Sequence, residues 1–75
     1  MNEYTERGDA LTPREREAIG LLCEGLSNKQ IADRMHCALS TVKHHLHACR
    51  IKRNVHNRIA LVVKALQDGT AKFPA

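Results

Sequence analysis

Apolar residues in this chain recur every three or four positions, the spacing that gathers them on one side of a helix. Ile19, Leu22, Cys23 and Leu26 trace one such stripe. Ile31 and Met35, with Ala32 beside them, trace a second, and Val42, Leu46 and Cys49 a third. No stretch shows the period-two alternation of a half-buried strand. Boundary signals fall between the stripes. Thr12-Pro13-Arg14-Glu15 joins a capping hydroxyl, a proline where its missing amide costs nothing, and an acid that closes the capping box. Gly25 supplies a left-handed stop, and Ser27 with Gln30 forms a second capping box almost at once. His36-Cys37-Ala38-Leu39 lacks a helical period and reads as a turn, with Ser40 or Ala38 opening a helix that runs to about Arg53. Asn54 suits a left-handed helix end, Val55 can fold back onto the core, and Asn57 caps a last helix from Arg58 to about Gln67, stopped by Gly69. The pattern predicts an all-α domain: a four-helix bundle containing a helix-turn-helix, unrelated to winged-helix folds.

Two of these helices have a face that the core does not need. At about 100° per residue, Val42, Leu46 and Cys49 share one side of the third helix, while Ser40, Lys43, His44, His47, Arg50 and Ile51 share the opposite arc. A short helix with an apolar back and a cationic, hydrogen-bonding front, tied to a preceding helix by a tight turn, is the layout of helix-turn-helix DNA binding. A solvated basic face on an ordinary bundle helix is the plainer alternative. The last helix is apolar over about 200°. Leu61, Val62 and Ala65 cover one arc, Ile59, Val63 and Leu66 the adjoining one, and only Lys64, Gln67, Asp68 and Ala60 remain for water. A chain of 75 residues buries about 60–65% of its unfolded surface and can hardly enclose a terminal helix on so many sides. A second interface is expected there.

Composition sharpens this picture in three ways. The formal charge of +4 and a pI of about 9.3 favour an anionic partner, and the charge is unevenly spread. Residues 1–24 carry Glu3, Glu6, Asp9, Glu15, Glu17 and Glu24 against Arg7, Arg14 and Arg16; residues 27–58 carry Asp33 alone against Lys29, Arg34, Lys43, Arg50, Lys52, Arg53 and Arg58. The two aromatic residues, Tyr4 and Phe73, lie near the ends, so the core has to be aliphatic. Cys23, Cys37 and Cys49 are odd in number and lack CxxC spacing, which points to a reducing cytoplasm rather than a disulfide framework. Together with His36, His44, His45, His47 and His56 they give no usual metal-ligand pairing, so neither a metal nor any other cofactor is expected. There is no apolar run near 18 residues, no signal-peptide pattern, no internal repeat and no low-complexity tract. Residues 1–10 read as a flexible lead-in and 70–75 as a tail around a domain at 11–69.

Several motifs in order resemble the LuxR/GerE-type helix-turn-helix family. Leu11-Thr12-Pro13-Arg14-Glu15-x-Glu17 is similar to its opening motif, and Glu24-Gly25-Leu26-Ser27-Asn28-Lys29-Gln30-Ile31-Ala32 to its EGLSNKEIA segment. Thr41-Val42-Lys43-x-His45 resembles its recognition-helix motif, and Asn57-Arg58 with Leu61-Val62 and Ala65-Leu66 its last helix. The resemblance covers roughly residues 11–69 and implies a domain that binds double-stranded DNA as a homodimer and regulates transcription. It implies that the third helix enters the major groove and that the fourth makes the dimer contact. The family's base-contacting positions fall on Lys43, His44 and His47, and its phosphate-contacting positions on Asn28, Lys29, Thr41 and Arg58. Ser40 and Arg50 on the charged arc, and Lys52 beyond it, are further candidate phosphate contacts; Ile59, Val63 and Leu66, with Gln67 at the edge, are the candidate dimer interface.

Three departures from the family pattern matter. Ala38 stands where the family usually has a capping serine, a loss of about 1 kcal/mol unless the helix begins at Ser40. Arg53-Asn54 replaces Leu-Gly, so Arg53 falls near the core stripe and is expected to snorkel its charge out to water or phosphate. Family members commonly carry a receiver or small-molecule-sensing domain ahead of this one, which the ten leading residues cannot be, so the chain reads as a stand-alone version. A bacterial cytoplasmic location follows from the resemblance. The alternative to DNA binding is a protein-interaction module that pairs with full-length LuxR-type regulators or RNA polymerase. An enzyme is not expected. Four short helices leave little room for a cleft, and His44 and His45, about 100° apart on one helix, cannot share a site; His45 is expected to pack between helices instead.

Overall fold

The computed structural model describes residues 10–72, which form four α-helices and, among the described residues, no strand. They are α1 (Pro13–Cys23), α2 (Asn28–Met35), α3 (Leu39–Arg53) and α4 (Arg58–Gln67). Residues 1–9 of the ten-residue lead-in and the last three residues, Tyr4 and Phe73 among them, lie outside the described part.

Each helix starts at its sequence signal except α3. The Thr12 hydroxyl accepts from the Glu15 amide at 3.1 Å, and the Glu15 carboxylate accepts from the Thr12 amide at 3.0 Å. Ser27 and Gln30 repeat this reciprocal pair at 3.2 and 2.8 Å, and the Asn57 side chain accepts from the Ala60 amide at 2.8 Å. These bonds satisfy amides that the first turn of a helix leaves without partners. For α3, Ala38 is the one of the two candidate starts that holds. Leu39 belongs to the helix rather than the turn, Ala38 is the cap, and no side chain bonds to the first-turn amides. Ser40 sits inside the first turn and does not open it.

The stops also match the chain, with one residue that the pattern did not single out. Gly25 follows α1 at φ +90°, and Asn54 ends α3 at φ 56°. His36 ends α2 at φ 55°, a left-handed position where an L side chain is uncommon and histidine is among the better tolerated. Arg14 reaches across from α1 to donate to the Met35 carbonyl at 2.8 Å, satisfying a carbonyl in the last turn of α2.

Both α1 and α3 pack against all three other helices, so they form the central pair. Their buried residues, Ala18, Ile19, Leu22, Val42, Leu46 and Cys49, meet Ile31 and Met35 from α2 and Leu61 and Ala65 from α4. The core is aliphatic, as the absence of mid-chain aromatics required. Burial pushes the Cys49 thiol up to about 11, helped by the Glu15 charge, so this cysteine serves as a small hydrophobe. Val55 packs on the core as expected, and the packing extends past Gly69 to Ala71, whose amide donates to the Ala65 carbonyl at 3.2 Å.

Arg53, half-buried at the end of α3, pairs with a carboxylate at the end of α4. Its Nε lies 3.1 Å from an Asp68 carboxylate oxygen, which ties the end of α3 to the end of α4. Burial alone would raise the Asp68 carboxyl, but bonds from Thr70 and the positive field of Arg53 outweigh it and hold it below its ordinary value.

Candidate nucleic-acid interface

The site grows from the two faces of α3. Val42, Leu46 and Cys49 are buried to 4% exposure or less and fix the helix against α1, which turns the opposite arc outward. On that arc Ser40, Lys43, His44, His47 and Ile51 are exposed and Arg50 is half-buried. Lys43 and His47 stand one turn apart, about 6 Å along the axis, so their polar ends project side by side. The His44 ring lies 6.2 Å from that of His45 at 55°, while His45 is half-buried on the flank. Thr41 is half-buried on the same flank.

At the start of α2, Lys29 is exposed and Asn28 half-buried. Asn28 and Arg58, two candidates 30 residues apart, are in contact. The Arg58 guanidinium donates to the Asn28 side-chain oxygen at 2.6 Å and to the Leu26 carbonyl at 3.0 Å. Two of its five N–H donors are used in this clasp. The rest are held at the junction of α2 and α4 by a side chain that can no longer swing freely.

Lys52 does not belong with this group. At 100° per residue it lies about 180° from Lys43. Its ammonium donates to the Glu15 carboxylate at 2.7 Å and to the Ala10 carbonyl at 3.1 Å. Lys52 therefore clamps α3 to α1, and the ammonium expected on phosphate is held by Glu15 and Ala10. Sequence reading missed the partner because the period marks which side of a helix a residue takes, not which distant carboxylate waits there.

The α4 candidates separate in the structure. Ile59 is 76% exposed and Val63 46%, and Gln67 is exposed beside them. Leu66 is only half-buried and packs on the core, because it lies between the inward and outward arcs. Ile59 and Val63, with Val62, form one wall of a shallow open groove of about 250 Å³ whose other wall is Leu22 and Leu26. Among the described residues no group of His, Cys, Asp and Glu could hold a metal ion, and no helix is long and apolar enough to cross a membrane.

Comparison with known proteins gives the arrangement a context. The family described as "Bacterial regulatory proteins, luxR family" matches residues 9–65. The chain is 46% identical over 64 residues to the DNA-binding transcriptional activator DevR/DosR of Mycobacterium tuberculosis, covering 85% of this chain and 30% of that protein. It is 50% identical over 62 residues to the monoamine regulon transcriptional regulator of Klebsiella aerogenes, covering 83% of this chain and 27% of the other. The transcriptional regulatory protein DegU of Brevibacillus brevis shares 34% identity over 70 residues, 93% of this chain and 30% of DegU. The chain thus spans at most about a third of these relatives. With a matching family over most of its length and the family's motifs at the starts of its helices, the chain belongs to the luxR family of bacterial regulatory proteins.

Proposed function

We propose that this chain is a sequence-specific, double-stranded DNA-binding transcriptional regulator that acts as a homodimer. The observation that carries the reading is the outward arc of α3, where Lys43, His44 and His47 project opposite buried Val42, Leu46 and Cys49. The backbone of α3 is thereby braced from behind while its front presents hydrogen-bonding groups of a size that fits the major groove. Lys43 donates to guanine O6 and N7; His44 and His47 meet purine N7 or thymine methyls. Asn28, Lys29, Ser40, Thr41, Arg50 and Arg58 set the register on phosphates, which fixes position without reading sequence. The exposed Ile59 and Val63 on α4, flanked by Leu66 and Gln67, meet the same residues of a second copy across a two-fold axis.

The test is selection of bound duplexes from a random pool, followed by titration of the best site. Neutralising about four phosphates per half-site predicts that log K falls with log salt at a slope near −7 for a dimer; a slope flatter than about −2 argues against duplex DNA as the main partner. Lys43→Ala is expected to cost on the order of 1–3 kcal/mol on the selected site and less on random DNA, whereas Lys29→Ala weakens all sequences alike. Uniform loss on both DNAs with Lys43→Ala would reassign the reading face. The exposed α4 face also favours a second reading, in which the chain pairs with a longer luxR-family regulator or RNA polymerase and modulates it. In that case the purified chain shifts no duplex alone but alters the binding of the larger protein.

A further inference from the structure

The outward arc of α3 includes one side chain that neither phosphate nor a hydrogen-bonding base edge can use. Ile51 is 63% exposed, four residues beyond His47 and seven beyond His44, on the same stripe as both. It points about 170° away from Cys49 and Val42, so it contributes nothing to the core. Nor does it belong to the apolar face of α4, which packs against the inner side of α3. A branched hydrophobe set among imidazoles and a guanidinium leaves water only when a partner covers this whole face. Within the major groove the matching apolar feature is the 5-methyl group of thymine.

We infer that Ile51 is a specificity-determining residue that packs against a thymine methyl in each half-site. This rests on the proposed placement of α3 in the groove. Ile51 lies eight residues past Lys43, about 12 Å along the helix axis. At about 3.4 Å per base pair, that sets the thymine three to four pairs from the guanine that Lys43 reads. Lys43 and Ile51 then mark the two ends of the recognised sequence, one by hydrogen bonds and one by shape, with His44 and His47 between them.

The experiment replaces each thymine of the selected duplex in turn by deoxyuridine, which removes only the methyl group, and titrates the native chain and Ile51→Ala on every version. One position per half-site should weaken the native protein about fourfold, the factor carried by burial of one methyl-sized group. Ile51→Ala should bind the unmodified duplex correspondingly weaker and lose nothing further at that position, and Ile51→Val should keep part of the sensitivity. Because the side chain is exposed, its melting temperature serves as a fold control and should not move. If no deoxyuridine position affects the native chain, or if Ile51→Ala is as sensitive as the native chain, the inference is overturned while DNA binding stands. Failure of the native chain to bind any selected duplex overturns both, and is seen before any base is altered.

Discussion

Glu15 shows how one residue can serve two levels of structure. It is 7% exposed, and its carboxylate both closes the α1 capping box and receives Lys52 from α3. Burial alone would push its carboxyl up, but the bond from Lys52, the Thr12 amide and the nearby positive charge outweigh that effect and hold it below the ordinary value. A folded-state value below the unfolded one means that the contribution is complete above the usual carboxylate range, near about 4.3, and is lost as the pH falls through the folded value. Lys52→Ala leaves a buried carboxylate short of a partner. Urea unfolding at pH 7 should show a loss of about 1–2 kcal/mol, and the gap from the native chain should narrow below about pH 4 as Glu15 takes up a proton. An equal gap at both pH values would show that Lys52 acts through packing of its methylenes alone.

At the level of the element, α3 is the helix with the weakest start and the largest functional demand. Its N-cap is Ala38 in extended conformation, φ −75° and ψ 153°, the backbone geometry in which serine caps, yet no side chain accepts from the first-turn amides. Ala38→Ser should therefore raise stability by about 1 kcal/mol, read as an increase of about 4–8 °C in melting temperature for a domain of this size. No change would mean that the added hydroxyl does not reach the first-turn amides. Thr12, Ser27 and Asn57 are legible as caps because each carries its own acceptor, whereas Ala38 gives no local signal and cannot be told from Ser40 as the start of α3. The outward arc of α3 was legible from a period of 3.6 because Val42, Leu46 and Cys49 fix its back. Lys52 with Glu15, Arg58 with Asn28 and Arg53 with Asp68 were not, since contacts between residues far apart in the chain depend on how the helices are set against one another.

For the molecule as a whole, the apolar width of α4 has to be reconciled with a small core. Leu61 and Ala65 are fully buried and already dock the helix, yet Ile59 and Val63, one turn apart on α4, remain exposed. A pair of such helices buries less than a standard interface of about 1,600 Å², so the free dimer is expected to be weak, in the micromolar to millimolar range. On the proposed function, DNA is expected to strengthen it, because two reading heads on half-sites about one helical turn apart raise each other's effective concentration. Val63→Glu sets like charges near a two-fold axis and should abolish cooperative binding to a duplex with two half-sites. Binding to a single half-site should persist, since α3 is untouched. The melting temperature of the monomer should hardly move, because a side chain 46% exposed contributes little to the core. Cooperativity retained in Val63→Glu would place the dimer contact on another face, and a large drop in melting temperature would show that the groove beside Leu22 and Leu26 closes over Val63 within the monomer.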